Sequence, residues 1–127
     1  MKGAKGLVTD GRVRDAAAVC DLGFPVFSRS LTPVFMSGRF RVVAHQAPVE
    51  WDGQTAGRVP VRPGDLVVAD RDGVVIVPAE LATEVLPLAE ELERIEQRLR
   101  DGLRAGEDRE AVYKHHPKFA HVRRANG

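Results

Sequence analysis

Two adjacent side chains, Arg14 and Asp15, are the residues of this sequence best suited to chemistry. They follow a short apolar run and an Asp10-Gly11 pair inside Gly6-Leu7-Val8-Thr9-Asp10-Gly11-Arg12-Val13-Arg14-Asp15. Arginine grips a carboxylate through two parallel hydrogen bonds, and aspartate oxygen is a ligand for a hard divalent cation. Held together at a strand end, the pair suits a small 2-oxo acid bound against a metal ion. The same dipeptide also reads as a helix start, with Asp15 capping and Arg14 in a surface ion pair. Asp10, Asp65, Asp70 and Asp72 each border a glycine-bearing turn, where a carboxylate bonds to backbone N–H groups nearby. They are read as turn residues rather than ligands.

Further blocks follow in order: Gly23-Phe24-Pro25-Val26-Phe27-Ser28-Arg29, then Pro63-Gly64-Asp65-Leu66-Val67-Val68-Ala69-Asp70-Arg71-Asp72-Gly73-Val74-Val75-Ile76-Val77-Pro78. With the DGxVRD stretch before them, these blocks resemble the 4-hydroxy-4-methyl-2-oxoglutarate aldolases. That family also contains the regulator of ribonuclease E activity and its homologues. The resemblance runs from about Lys5 to Pro78 and continues weakly into the next helix. It implies an α/β fold, a layered β/β/α swivelling-type domain followed by a long C-terminal helix.

The resemblance also implies roles. Arg14 is expected to bind the substrate carboxylate and Asp15 to anchor Mg2+ or Mn2+, so both are the expected catalytic residues. The implied reaction is a retro-aldol cleavage to pyruvate, with oxaloacetate decarboxylation as a side activity. The implied assembly is a homo-oligomer of three subunits with sites at their boundaries, where Glu90, Glu91 and Glu93 could serve a neighbour. Two features depart from the pattern. The family motif carries an acid three positions after the aspartate, and Ala18 stands there. The chain starts at Met1, so the glycine-containing loop that precedes the motif in the family is expected to be lacking, leaving the C-terminal part of the fold. Two functions follow: a divalent-metal-dependent lyase, or a non-catalytic protein-binding module resembling the ribonuclease E inhibitor.

The elements that must position the pair are legible in outline. Strands are predicted at residues 5–9, 25–29, 39–46, 59–61, 66–69 and 74–77, with turns at Asp10-Gly11, Pro63-Gly64 and Arg71-Asp72-Gly73. A helix is predicted at residues 15–22, favoured by Ala16, Ala17 and Ala18 and stopped by Gly23. Residues 50–58 read as a polar loop in which Trp51 is either a core residue or a lid. Leu81, Val85, Leu88, Leu92, Ile95, Leu99 and Leu103 recur at helical spacing, with Pro87 predicting a kink or a divided helix. That stripe is expected to pack on the protein's own sheet or on a neighbouring subunit. A last helix is predicted after Gly106, capped by Asp108. Three regions result: a strand-rich core at 1–78, an amphipathic helix at 79–105 and a basic tail at 106–127.

Bulk composition narrows the functional classes. A chain of 127 residues with 43% hydrophobic and 29% charged residues is ordinary for a globular domain. A net charge of +1 provides no global attraction to nucleic acid or anionic membrane. No apolar run approaches the ~20 residues of a spanning helix, and the N-terminus lacks an apolar signal core. A cytoplasmic protein is expected. The single Cys20 excludes an internal disulfide and is predicted to be a buried, inert thiol. The tail from Lys114 to Arg124 has no acid. It reads as a solvated segment, an arm to another subunit, or a weak nucleic-acid contact through Tyr113 and Phe119, the last being the least favoured. His115 and His116 are adjacent and point apart on a helix, a poor chelate.

Overall fold

The structure is a computed structural model that describes residues 3–54 and 57–123. It is a mixed α/β fold with small sheets and a long C-terminal helix, and it divides into two compact units, Met1–Ala79 and Glu80–Gly127.

In the first unit, strand β1 (Leu7–Val13) leads through the short helix α1 (Ala16–Asp21) into β2 (Val26–Leu31), which pairs parallel to β1. A parallel return needs a crossover, and α1 supplies it. Gly23 stops the helix at φ +64°, a left-handed conformation that a side chain would disfavour. The predicted turn at Asp10-Gly11 is a bulge instead. Thr9 faces Ser28 and Arg12 faces Ser30, so β1 inserts one extra residue and runs on to Val13. Thr9 Oγ1 accepts a hydrogen bond from the Gly11 N–H at 3.0 Å, which supports the irregular backbone. Asp10 is therefore a strand residue, not a turn residue.

Two antiparallel hairpins complete the unit: β3 (Val49–Asp52) with β4 (Arg58–Val61), and β5 (Leu66–Ala69) with β6 (Val74–Val77). The strand predicted at 39–46 does not form. Its Val42 and Val43 are about four-fifths exposed and lie in irregular backbone. The segment predicted as a loop at 50–58 contains β3 and the start of β4; Thr55 and Ala56 lie outside the described residues. Cross-strand charge explains the pairing. Arg58 reaches Asp52 at 3.3 Å and Glu50 at 3.5 Å, so polar residues hold the hairpin from its face. In the β5–β6 turn, Asp70 Oδ1 accepts from the Asp72 and Gly73 N–H groups, as expected of a turn aspartate. Asp65 accepts from the Arg62 and Ala79 N–H groups.

A single 3-10 turn (Ala79–Leu81) leads into α2 (Ala82–Arg104) of the second unit, which continues through Pro87 without division. The predicted split does not occur because Pro87 lies near the start of the helix. Only one intrahelical hydrogen bond is lost there, and the long apolar stripe favours continuation. Gly106 then breaks the chain at φ +83°, and Asp108 caps α3 (Arg109–His115) by accepting from the Ala111 N–H at 3.0 Å. Ile95 and Leu99 of α2 pack with Val112 of α3 as the buried cluster of this unit. Gly102 makes the approach possible, since a Cβ there would lie 3.2 Å from Val112 Cγ2. Leu81, Val85, Leu88 and Leu103 of the predicted stripe stay exposed, and Leu92 is half-buried.

The basic tail is partly held down. Lys118 Nζ bonds Glu96 at 2.7 Å, and His121 Nε2 donates to the Leu88 carbonyl at 3.0 Å; Arg124 lies outside the described residues. Lys118 holds the Glu96 carboxyl below its ordinary 4.5, and Glu96 raises the Lys118 ammonium above 10.5. The depressed carboxyl stabilises the docked tail above 4.5 and loses that contribution as pH falls through its lower folded value. The raised ammonium stabilises below 10.5 and loses that contribution as pH rises through its higher folded value. The tail amides around Val122, whose N–H donates to the Phe119 carbonyl at 3.1 Å, are thus expected to be protected at neutral pH and released by strong acid. Lys118→Met should release them at neutral pH; identical exchange in the variant would refute the pin.

The two units differ in how they are held. No described residue before Glu80 is buried, whereas Leu99 and Val112 are 3% and 2% exposed. Two-stranded ribbons are marginal by themselves. Amide exchange is therefore expected to be slowest around Ile95 and Leu99 and much faster in β3–β6. Equal protection in both would contradict this ordering.

Candidate functional site

Arg14 and Asp15 occupy the junction between the end of β1 and the start of α1. Arg14 Nε donates to Asp15 Oδ2 at 2.9 Å. Asp15 stands at the capping position, yet its side chain makes no cap hydrogen bond, and its backbone is left-handed at φ 57° and ψ 35°. An aspartate tolerates that conformation better than most residues, at a cost of order 1 kcal/mol. The abrupt reversal turns the carboxylate back toward Arg14 rather than onto the helix. The Asp15 carbonyl still accepts the first helical bond, from the Val19 N–H at 3.0 Å.

The pair is open to solvent, with the side chains of Arg14 and Asp15 42% and 63% exposed. The guanidinium lies over Phe35, with Cζ 4.9 Å from the ring centroid. With Nε engaged, both terminal nitrogens of Arg14 remain for a ligand carboxylate, and Oδ1 of Asp15 remains for a cation. Among the described residues, no group of three or more His, Cys, Asp or Glu side chains could hold a metal ion. A lone carboxylate oxygen is the least that Mg2+ or Mn2+ accepts from a protein, with water and substrate filling the rest of the octahedron. It does not fit zinc, which asks for a nitrogen or sulfur set.

A separate hollow of about 730 Å3 opens in the first unit. Asp10, Phe27, Arg29, Trp51, Asp52 and Arg71 are among its lining residues, and neither Arg14 nor Asp15 is. Arg29 Nη2 donates to Asp52 Oδ2 at 2.7 Å, tying β2 to β3. Arg29, with Arg58 assisting, holds the Asp52 carboxyl below its usual range, and Asp52 raises the Arg29 guanidinium in return. Trp51 is half-buried and faces this hollow. The sequence signals Arg29 only as the end of the Gly23–Arg29 block, and signals Asp52 not at all.

Other predicted positions resolve as follows. Ala18 is exposed on α1 and brings no oxygen to the pair. Cys20 is exposed rather than buried, because the six-residue helix turns only Ala16 and Val19 partly inward. On α2, Glu91 is already engaged by Arg94 and Arg98, each at 3.0 Å, and those two arginines lower its carboxyl from the ordinary range. Glu90 lies 3.7 Å from Arg94. No described helix is long and apolar enough to cross a membrane.

Comparison with known proteins completes these observations. Residues 1–76 match the family model described as RraA-like, Aldolase/RraA. A Halalkalibacterium halodurans protein named "Putative 4-hydroxy-4-methyl-2-oxoglutarate aldolase" is 38% identical over 87 residues, covering 68% of this chain and 39% of the relative. A crystal structure of an uncharacterized protein from Pseudomonas syringae pv. tomato is 35% identical with TM-score 0.79, covering 87% of this chain and 52% of that one. The crystal structure of Streptomyces coelicolor RraAS2, titled an unusual member of the RNase ES inhibitor RraA protein family, is 41% identical. Its TM-score is 0.61, with 76% of this chain and 46% of that one covered. The chain thus spans about half the length, or less, of these relatives.

Proposed function

This chain belongs to the RraA-like (Aldolase/RraA) family, and from that premise we propose that Arg14 and Asp15 serve a carbon–carbon lyase acting on a small 2-oxo acid. The substrate proposed is 4-hydroxy-4-methyl-2-oxoglutarate, cleaved to pyruvate, with oxaloacetate decarboxylation as the side activity. The observation that carries the reading is the Arg14 Nε–Asp15 Oδ2 contact at 2.9 Å, which leaves the terminal nitrogens and one carboxylate oxygen turned to solvent.

Cleavage and decarboxylation share one difficulty, since both pass through the enolate of pyruvate. Arg14 binds the substrate carboxylate in two parallel hydrogen bonds and so fixes the plane of the 2-oxo group. The breaking bond then stays perpendicular to that plane and overlaps the carbonyl π system. Asp15 would hold the cation beside the keto oxygen. A divalent cation, when bound, draws electron density from that oxygen and lowers the energy of the developing enolate. Acids that complete the site are proposed to come from a neighbouring subunit in a homo-oligomer, as the family resemblance implies.

The second reading is a protein-binding module. Ala18 favours it, because no acid stands where the family motif has one, and so do the exposed apolar faces of the first unit. A coupled pyruvate-release assay with and without Mg2+ separates the two. Mg2+-dependent release lost in Arg14→Ala supports the lyase. Absence of release, with tight retention of a protein partner, replaces it by the module.

A further inference from the structure

Resting on the reading of Arg14 as the carboxylate-binding group, we propose that Phe35 is the positioning residue that sets the plane of the Arg14 guanidinium.

Arginine sits on a long, flexible stem, and a group of that kind binds a planar carboxylate well only when its own plane is fixed. Two contacts hold it here. Asp15 Oδ2 takes Nε–H within the guanidinium plane at 2.9 Å. The guanidinium carbon lies over the Phe35 ring, with Cζ 4.9 Å from the centroid. The hydrogen bond alone leaves the group free to swing about the Nε–H axis, and the ring contact restrains that swing.

The backbone explains why Phe35 is at hand. Thr32 N–H donates to the Val13 carbonyl at 3.0 Å, pinning the chain that leaves β2 to the residue before Arg14. Thr32 Oγ1 then accepts from the Val34 N–H at 3.2 Å. Phe35 is 60% exposed, so core burial does not account for a large aromatic at this position. An aromatic face does what an aliphatic side chain of similar size cannot, because it attracts a cation through its ring electrons.

The geometry also selects the edge on which a ligand lies. With Nε taken by Asp15, the side-on edge of the guanidinium is closed and the terminal edge, made by the two Nη groups, is open. A 2-oxo acid carboxylate bound there leaves the remaining Asp15 oxygen free for a cation.

Calorimetric titration of the full chain with pyruvate and with oxalate, in Mg2+, tests this. Phe35→Leu keeps apolar bulk and removes the ring; Phe35→Trp enlarges the face. Phe35→Leu is expected to weaken both ligands roughly two- to fivefold, and Phe35→Trp to bind at least as tightly as the unsubstituted protein. Where turnover is followed, the Leu variant should raise KM and leave kcat in place, the pattern of lost ground-state positioning. A residue needed only for packing would instead lower the folded fraction, with Leu tolerated better than Trp. Equal affinity in Phe35→Leu, or a Trp variant as weak as Leu, overturns the role of Phe35. If Arg14→Ala abolishes binding while Phe35→Leu changes nothing, Phe35 alone is refuted. If the unsubstituted protein binds neither pyruvate nor oxalate, the Arg14 reading falls and this role falls with it.

Discussion

Replacing Arg14 by alanine is expected to lower kcat/KM for pyruvate release roughly a hundredfold, and by as much as about a thousandfold. The magnitude follows from two charge-assisted hydrogen bonds to a carboxylate, together worth roughly 2–4 kcal/mol, or about 1.4 kcal/mol per factor of ten. The lower figure is favoured because the Arg14 side chain is 42% exposed and water competes for its N–H groups. Arg14→Lys should recover only part of the loss, since an ammonium keeps the charge without the fork. A second readout separates this from general damage. Asp15 Oδ2 would be freed from its bond to Nε, so Mg2+ should be held no more weakly than in the unsubstituted protein. A variant that keeps full kcat/KM, or that loses Mg2+ together with substrate, removes Arg14 from the role assigned to it.

Asp15→Asn is the companion experiment, with an expected fall of roughly 10²- to 10³-fold in turnover and loss of stimulation by Mg2+. Asparagine was chosen because Asp15 has φ 57°, and asparagine is at ease in that left-handed conformation where alanine is not. The amide oxygen can still accept from Arg14 Nε, so the local geometry should survive. What disappears is the charge that makes the remaining oxygen a ligand for a hard cation. Circular dichroism should be unchanged, and binding of Mg2+ should be lost. Turnover that still responds to Mg2+ in this variant would sink the assignment of Asp15. Asp15→Ala is a poorer test, because it adds backbone strain to the loss of charge.

Much of this arrangement was legible in the residues. The β5–β6 hairpin falls where its valine-rich arms and Asp72-Gly73 predict, and α2 follows its three- and four-residue apolar spacing. Gly23 and Asp108 end and begin helices for the expected local reasons. The failures share a cause, which is that pairing partners are not visible in a single segment. Asp10-Gly11 has the local chemistry of both a turn and a bulge, and only the register against β2 decides. Residues 39–46 have a strand-like composition but pair with no strand among the described residues. Glu50 and Asp52 look like loop residues until Arg58 is placed opposite Asp52 and within reach of both. The candidate site shows the same division. Arg14 and Asp15 are adjacent and could be singled out by type alone. The Phe35 ring and the Arg29–Asp52 tie depend on tertiary placement that no local pattern encodes.

The β5–β6 ribbon carries no charge in either arm, yet Leu66, Val68 and Val75 are more than half exposed. Water around such side chains carries a large heat capacity, which is released when another surface covers them. Whatever body comes to lie on that ribbon will do so with a negative heat-capacity change, and cooling will loosen its hold.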